Sequence, residues 1–144
     1  MTAAEAEETP DVVTGTFLVN SVHARVLFDT GADRSFVSRS FCDYLHRVPK
    51  PLNSALEVEA VEDNRVVIRE EYDDCNIQID GRSIPLKLLP ITLGEFDVII
   101  GMDWLAKNKA KIVCDKKIIQ IESPDGGTMV IYGDRRNRKS SRQK

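Results

Sequence analysis

Short apolar runs, separated by polar or glycine-containing pairs, recur along most of this chain. Residues 12–19 and 22–28 are rich in residue types that favour β-strands, and the Asn20-Ser21 pair between them is typical of a tight turn. These two runs therefore predict a hairpin. Its second strand ends abruptly at Asp29.

Two later segments follow the same logic. Apolar and polar residues alternate with period two over 55–61, and apolar residues return at 66–68 after a polar stretch, which predicts a hairpin whose tip stands out into solvent. Asp80-Gly81 is the strongest short hairpin signal in the chain. Pro85, in the arm that follows, should place that arm at a sheet edge or beside a bulge because proline cannot donate to a ladder.

Helical signals are few. Ser38 can cap a short helix over residues 39–46, whose inward-facing side chains would be Phe41, Tyr44 and Leu45. Asp103 can cap a helical turn over 104–108. Three β-like segments close the pattern, at 110–114, 117–121 and 128–132. The predicted fold class is therefore mostly β, with one or two short helices.

The length of the chain limits it to one domain. Its 144 residues can build a single small core, which we place in residues 12–133. Residues 1–11 and the basic residues 134–144 are predicted to be disordered tails. No apolar run approaches the roughly 20 residues of a membrane span, and the N-terminus lacks the basic-then-apolar order of a signal peptide. We therefore expect an intracellular protein with no membrane association.

Charge and cysteine content argue against nucleic-acid binding and metal binding as the main function. The net charge is −3, but the charges are unevenly distributed, with acidic residues near the start of the chain and basic residues near its end. The basic tail has no aromatic interleaving and no base-reading motif, so it predicts a linker with at most weak electrostatic contact to nucleic acid. Cys42, Cys75 and Cys114 are scattered without metal-ligand spacing, which predicts reduced, structural thiols and no metal site.

Candidate chemistry is concentrated where the second apolar run ends, at Asp29-Thr30-Gly31-Ala32. A carboxylate at the mouth of a core loses solvation, so N–H groups, a hydroxyl or a partner charge must compensate it. Thr30 and the amides around Gly31 could do so. Because aspartate also commonly caps a turn at a strand end, these four residues alone leave a purely structural role open.

Three landmarks in this order resemble the retroviral-type aspartic proteases. Residues 28–32 resemble the catalytic loop of that family. The hairpin near 57–70 occupies the place of the flap that covers substrate. The predicted flap residues are Ala60, Val61, Glu62, Asp63, Asn64, Arg65 and Val66. Residues 98–105 resemble the second hydrophobic-glycine element, formed by Ile99, Ile100 and Gly101, and the helix that follows it.

One detail points to a branch of that family. The viral enzymes usually carry an arginine after the second glycine, whereas Met102-Asp103 follows Gly101 here. This arrangement resembles the proteases of long-terminal-repeat retrotransposons of the Ty3/gypsy type. The resemblance covers roughly residues 13–132.

The resemblance implies a closed, barrel-like fold and a two-fold homodimer in which each subunit contributes Asp29 to one site. Peptide hydrolysis by carboxylates needs a pair, and this chain has a single Asp-Thr-Gly. Thr30 would bond the two loops across the axis, and Gly31 would leave space beside the carboxylates. The implied substrate is polypeptide, the protein's own polyprotein, with no metal or organic cofactor. The implied location is the cytoplasm or virus-like particles.

A cleft beneath the flaps would be shaped by apolar side chains, for which Val61, Val66, Leu93 and Ile99 are candidates unless they belong to the core. Viral flaps usually carry glycine at the tip, and residues 62–65 have none. That departure favours one alternative, a non-catalytic dimerisation or protein-binding module that keeps the fold.

The sequence argues against two other enzyme classes. His23 and His46 are isolated from any serine or cysteine nucleophile motif, which argues against a nucleophilic triad. An Asp-Thr-Gly phosphate loop of an actin-like kinase would need two large lobes, for which 144 residues are too few.

Overall fold

A computed structural model of the protein describes residues 12–59, 64–113, 117–122 and 126–133. Within these ranges the strands are β1 (Val12–Val19), β2 (Val22–Asp29), β3 (Phe36–Ser38), β4 (Lys50–Glu59), β5 (Arg65–Ile79), β6 (Arg82–Ile91), β7 (Val98–Ile100), β8 (Lys111–Val113), β9 (Ile118–Glu122) and β10 (Thr128–Tyr132). A 3₁₀ helix covers Arg39–Leu45, and helix α1 covers Met102–Lys107. The mostly β class with two short helices is confirmed.

The strands form two sheets. Seven strands lie in the order β1-β2-β7-β3-β6-β5-β4, and β8, β9 and β10 form a separate antiparallel sheet. A further pairing of Val19 with Ile77 brings β1 beside β5, so that six strands of the large sheet are linked in a ring. Strand β4 lies outside that ring and pairs with β5 alone.

The predicted tight turns have the backbone geometry that their residues favour. Asn20 and Ser21, between β1 and β2, have φ of 51° and 69°, and Asp80 and Gly81, between β5 and β6, have φ of 55° and 78°. Two successive positive φ angles match the right-handed twist of a hairpin, and Asn, Asp and Gly tolerate them best. Both hairpins are confirmed by the ladders that flank these turns.

Pro85 lies where β6 has few neighbours. Strand β3 pairs with β6 only from Leu89 to Ile91, so at Pro85 the strand is paired with β5 alone. The register of that pairing shifts between Tyr72 and Cys75, just beyond the residue that faces Pro85. The proline is thus accommodated at a locally open edge next to an irregularity, as its missing N–H requires.

The first helix departs from the prediction in two ways. Phe41 and Leu45 are buried as expected, but the inward position predicted for Tyr44 is wrong, since this side chain is 54% exposed. Its ring lies 5.4 Å from that of Phe41, which takes the inward place. Ser38 makes no capping hydrogen bond because its Oγ bonds that of Ser40 at 3.0 Å.

The core lies inside the ring of strands and extends to the second sheet. Phe28, fully buried at the end of β2, contacts Phe17 of β1 edge-to-face at 5.4 Å and Trp104 of α1 at 6.1 Å. The Trp104 Nε1–H donates to the Pro85 carbonyl at 3.1 Å. These contacts fix the strand before Asp29 to the helix after Gly101, with aromatic packing that adds about 1 kcal/mol per pair beyond area burial.

The thiols in the described ranges are structural. Burial raises the pKa of Cys75 and of Cys42, so both disfavour the reactive thiolate. Cys42 shares a hydrogen bond with Tyr72, and burial together with that bond raises the pKa of Tyr72 to about 12. Cys114 and the two predicted tails lie outside the described residues.

Neither helix in the described ranges has the length and hydrophobicity that a membrane span needs.

Candidate active site

Asp29 is the last residue of β2, at the point where the chain leaves the sheet. The Gly31 N–H donates to Asp29 Oδ1 at 2.8 Å, and the Ala32 N–H donates to the Asp29 carbonyl at 3.2 Å. Asp29, Thr30 and Ala32 are half-buried, and Gly31 is exposed. The carboxylate is therefore held by its own turn while remaining accessible to solvent.

Strand β7 is inserted between the two strands that flank this turn. It runs parallel to β2, with Phe28 opposite Ile100, and antiparallel to β3, with Phe36 opposite Ile99. Residues 30–35 thus form a loop whose two ends are separated by the width of one strand. The second hydrophobic-glycine element predicted from sequence lies directly beside the turn that carries Asp29.

Gly101 makes the close approach between this element and the loop possible. The Met102 N–H donates to the Ala32 carbonyl at 2.7 Å, and the Asp103 N–H donates to the Asp33 carbonyl at 3.1 Å. A Cβ on Gly101 would lie 2.6 Å from the Ala32 oxygen and closer still to the Arg34 oxygen. A side chain at this position would overlap the backbone of the loop that carries Asp29.

Ser35 and Asp103 join the far side of the loop to α1. The buried Ser35 donates from Oγ to Asp103 Oδ1 at 2.8 Å and accepts from the Gly101 N–H at 3.0 Å. The Ser35 N–H also donates to Asp103 Oδ2 at 3.2 Å. Asp103 was predicted to cap the helix. The N-cap is Gly101, but the Asp103 carboxylate, in the first turn, does accept the Trp104 N–H of the helix at 2.8 Å in addition to binding the loop. Sequence reasoning missed Ser35 entirely.

We expect Ser35→Ala to destabilise the protein by about 1–3 kcal/mol, because it leaves the buried Gly101 N–H without its partner and removes one of the two hydrogen bonds to Asp103 Oδ1. The free energy of unfolding in urea measures this effect. Ser83→Ala, at an exposed position on β6, is the matched control and should change it by no more than about 0.5 kcal/mol. Equal values for the two variants would contradict a bracing role for Ser35.

A cleft of about 450 Å³ opens beside Asp29. Apolar side chains predominate in its lining, which also includes one residue of the β4–β5 hairpin, Glu59. The lining residues are Asp29, Ala32, Phe36, Glu59, Ile91, Thr92, Leu93, Gly94, Phe96 and Ile99. Of the candidates for side-chain pockets, Leu93 and Ile99 line the cleft. Val66 instead packs against a small core cluster around Ile68, and Val61 lies outside the described residues.

The predicted flap hairpin is present as β4 and β5, paired antiparallel from Leu56–Ile68 to Glu59–Arg65. Arg65 forms an ion pair with Glu57 at 3.1 Å, and Asn64 is exposed. Ala60, Val61, Glu62 and Asp63, at the predicted tip, lie outside the described residues.

Neighbouring polar groups in the site stabilise the backbone. Asp97 accepts the Arg25 N–H at Oδ2 at 2.8 Å, and its own N–H donates to the Arg25 carbonyl at 2.9 Å. The Arg25 guanidinium lies 5.6 Å from the centre of the Phe96 ring, which lines the cleft. In the described ranges no three His, Cys, Asp or Glu side chains are grouped so that they could hold a metal ion.

Residues 1–126 match the sequence profile of the family described as retroviral aspartyl protease. This chain belongs to that family. The match extends from the N-terminus through β9, so it includes the Asp29 loop, the β4–β5 hairpin and the β7–α1 element.

Solved structures share the fold of this retroviral aspartyl protease family member. The retroviral protease-like domain of Ddi1 from Leishmania major superimposes with a TM-score of 0.61 and 20% identity, over 85% of this chain and 94% of that domain. The EIAV protease, complexed with the inhibitor HBY-793, gives a TM-score of 0.54 and 24% identity over 69% and 90% of the two chains. Among curated proteins none matches the sequence significantly. The retropepsin-like fold is thus confirmed.

Proposed function

We propose that this protein is an aspartic endopeptidase that acts as a homodimer, with Asp29 of each subunit as the catalytic residue. The observation that carries the proposal is the position of Asp29. Its carboxylate lies at the edge of an apolar cleft, on a turn fixed by its own amides and braced from behind by β7 and α1. Membership of the retroviral aspartyl protease family supports the same reaction.

The chemistry needs two carboxylates that share one proton. The ionised carboxylate removes a proton from water as that water attacks the peptide carbonyl, and the protonated one donates a hydrogen bond and then a proton to the carbonyl oxygen. The carboxyl group that took the proton from water then protonates the nitrogen, the other carboxylate removes a proton from a hydroxyl of the tetrahedral intermediate, and the C–N bond breaks to give a carboxylic acid and an amine. Because the reaction needs one protonated and one ionised carboxyl group, activity should be highest at mildly acidic pH.

Symmetry supplies the second carboxylate. Oδ1 of Asp29 accepts a hydrogen bond from Gly31, and within the described ranges no donor is bonded to Oδ2. A second copy related by a two-fold axis would place an equivalent Asp29 beside it, as an isologous interface does for any residue on the axis. In this proposal Thr30 links the two loops, and the β4–β5 hairpin covers an extended substrate.

We further propose a retrotransposon origin of the Ty3/gypsy type, with the protein's own polyprotein as substrate and action in the cytoplasm or inside virus-like particles. Met102-Asp103 after Gly101 supports this branch. At this position the Asp103 carboxylate accepts hydrogen bonds from Ser35 of the loop that carries Asp29.

Mixing wild-type protein with the Asp29→Asn variant tests the shared site. If each dimer needs two Asp29 carboxylates, equal amounts that pair at random leave about a quarter of the dimers active, so activity per wild-type chain falls about twofold. Peptidase activity is measured after unfolding and joint refolding, and sedimentation velocity verifies that dimers form. Unchanged activity per wild-type chain would mean that one subunit suffices.

The alternative is a binding module that keeps the fold without cleaving peptides. It predicts dimers by sedimentation and no peptide hydrolysis at acidic pH. The endopeptidase proposal predicts hydrolysis that an inhibitor directed at catalytic aspartates blocks.

A further inference from the structure

Glu59 departs from the apolar character of the cleft. It is the last residue of β4, on the hairpin that we assign as the flap, and it lines the same cleft as Asp29. Apart from Asp29, it is the one charged residue among the described residues that line this cleft. Glu59 is exposed, so it places a negative charge at the open edge of a cleft otherwise walled by Phe36, Ile91, Leu93, Phe96 and Ile99.

The hairpin offers an internal comparison. Glu57 lies two residues earlier, on the same face of β4, and its carboxylate is neutralised by Arg65 at 3.1 Å. Arg65 is directly opposite Glu59 in the ladder, yet the ion pair that it forms is with Glu57. None of the ion pairs between described residues includes Glu59, so its carboxylate is available to a charged group of a substrate at the cleft edge.

We infer that Glu59 is a specificity-determining residue that selects substrates carrying a lysine or arginine side chain close to the scissile bond. This inference rests on the proposed endopeptidase function. The aliphatic stem of such a side chain packs against the apolar wall, while its charged end reaches the Glu59 carboxylate. The same carboxylate repels acidic side chains, so acidic peptides are rejected as well as basic ones preferred.

Paired peptides test this inference. The two peptides of a pair are identical except at one position, which carries either lysine or its uncharged isostere norleucine. Across the series of pairs, this position is varied on both sides of a central pair of apolar residues, which serves as the site of cleavage. At the best position we expect kcat/KM to be about fivefold higher for the lysine peptide, the range of a partly exposed ion pair. Added salt should reduce that ratio, since it screens exposed charges.

Three variants test whether Glu59 causes the preference for the lysine peptide. Glu59→Gln should bring the ratio to about one, and Glu59→Lys should invert it in favour of a glutamate peptide. Glu70→Gln, at an exposed position of β5 outside the cleft lining, is the matched control and should keep the wild-type ratio. A ratio of one in the wild-type protein, or a ratio that survives Glu59→Gln, overturns the inference. Thermal unfolding of each variant shows that the fold is retained.

Binding separates this inference from the proposed function. Fluorescence anisotropy with the Asp29→Asn variant measures peptide affinity without turnover. Tighter binding of the lysine peptide that requires Glu59 supports the inference even if the wild-type protein cleaves nothing, and that absence of cleavage would overturn the endopeptidase proposal alone. Equal binding of both peptides overturns the inference whether or not cleavage occurs.

Discussion

Replacing Asp29 with asparagine should lower kcat/KM for peptide hydrolysis by about 10⁴-fold, because the variant removes the general base and the shared proton at once. The fold should be unaffected. The asparagine Oδ1 can still accept the Gly31 N–H, which is the hydrogen bond that shapes the turn. Peptidase assays at mildly acidic pH, together with thermal unfolding, measure both parts of this prediction.

Asp33→Asn is the matched control for that experiment. Asp33 lies in the same loop, is exposed, and uses its backbone carbonyl rather than its side chain to accept the Asp103 N–H. This variant should retain activity within about twofold of wild type. Peptide hydrolysis that persists in Asp29→Asn, after removal of contaminating proteases, would refute the proposed mechanism.

The second large effect is expected at Gly101. A methyl group there overlaps the Ala32 and Arg34 carbonyls, which are backbone atoms of the loop that cannot move without breaking the hydrogen bonds from Met102 and Asp103. We expect Gly101→Ala to destabilise the protein by about 3 kcal/mol, which lowers Tm by about 10 °C. Activity should fall further than stability alone explains, since the displaced loop carries Asp29.

Gly94 provides the comparison. It lines the same cleft, but an added Cβ there meets no heavy atom within 4 Å. Gly94→Ala should therefore leave Tm within about 2 °C of wild type. Calorimetry on the two variants decides the matter, and similar Tm values for both would show that the close packing around Gly101 is not a source of stability.

The sequence predicted those features that depend on neighbouring residues. The turns at Asn20-Ser21 and Asp80-Gly81 follow from the φ angles that these residues tolerate, and alternation with period two placed β4 and β5. The family resemblance correctly predicted the retropepsin-like fold and directed attention to Asp29 and Gly101. The catalytic role of Asp29 and the covering role of the hairpin stay predictions.

What sequence reasoning missed depends on contacts between distant parts of the chain. Ser35 gives no local signal, because its two partners, Gly101 and Asp103, are brought to it only when β7 enters the sheet. For the same reason Asp103 was assigned only to its own helix, whose Trp104 N–H it does accept, and its bonds to Ser35 were missed. Glu59 was not singled out, because alternation along β4 predicts the face of the strand on which it lies but not that the residue lines a cleft. Tyr44 was predicted to face inward because of its helical spacing, but Phe41 occupies that inward position and Tyr44 is exposed.

The insertion of β7 has a consequence for the timing of folding. The backbone of Arg25 binds the carboxylate of Asp97 across 72 residues, and the loop that carries Asp29 is held only after that long segment has closed. The entropic cost of closing such a segment must be met before these contacts form, and a ribosome delivers residues 98–105 after residue 29. A chain still being translated thus lacks the support for its acidic residue, and the proposed peptidase activity requires that synthesis has passed this point.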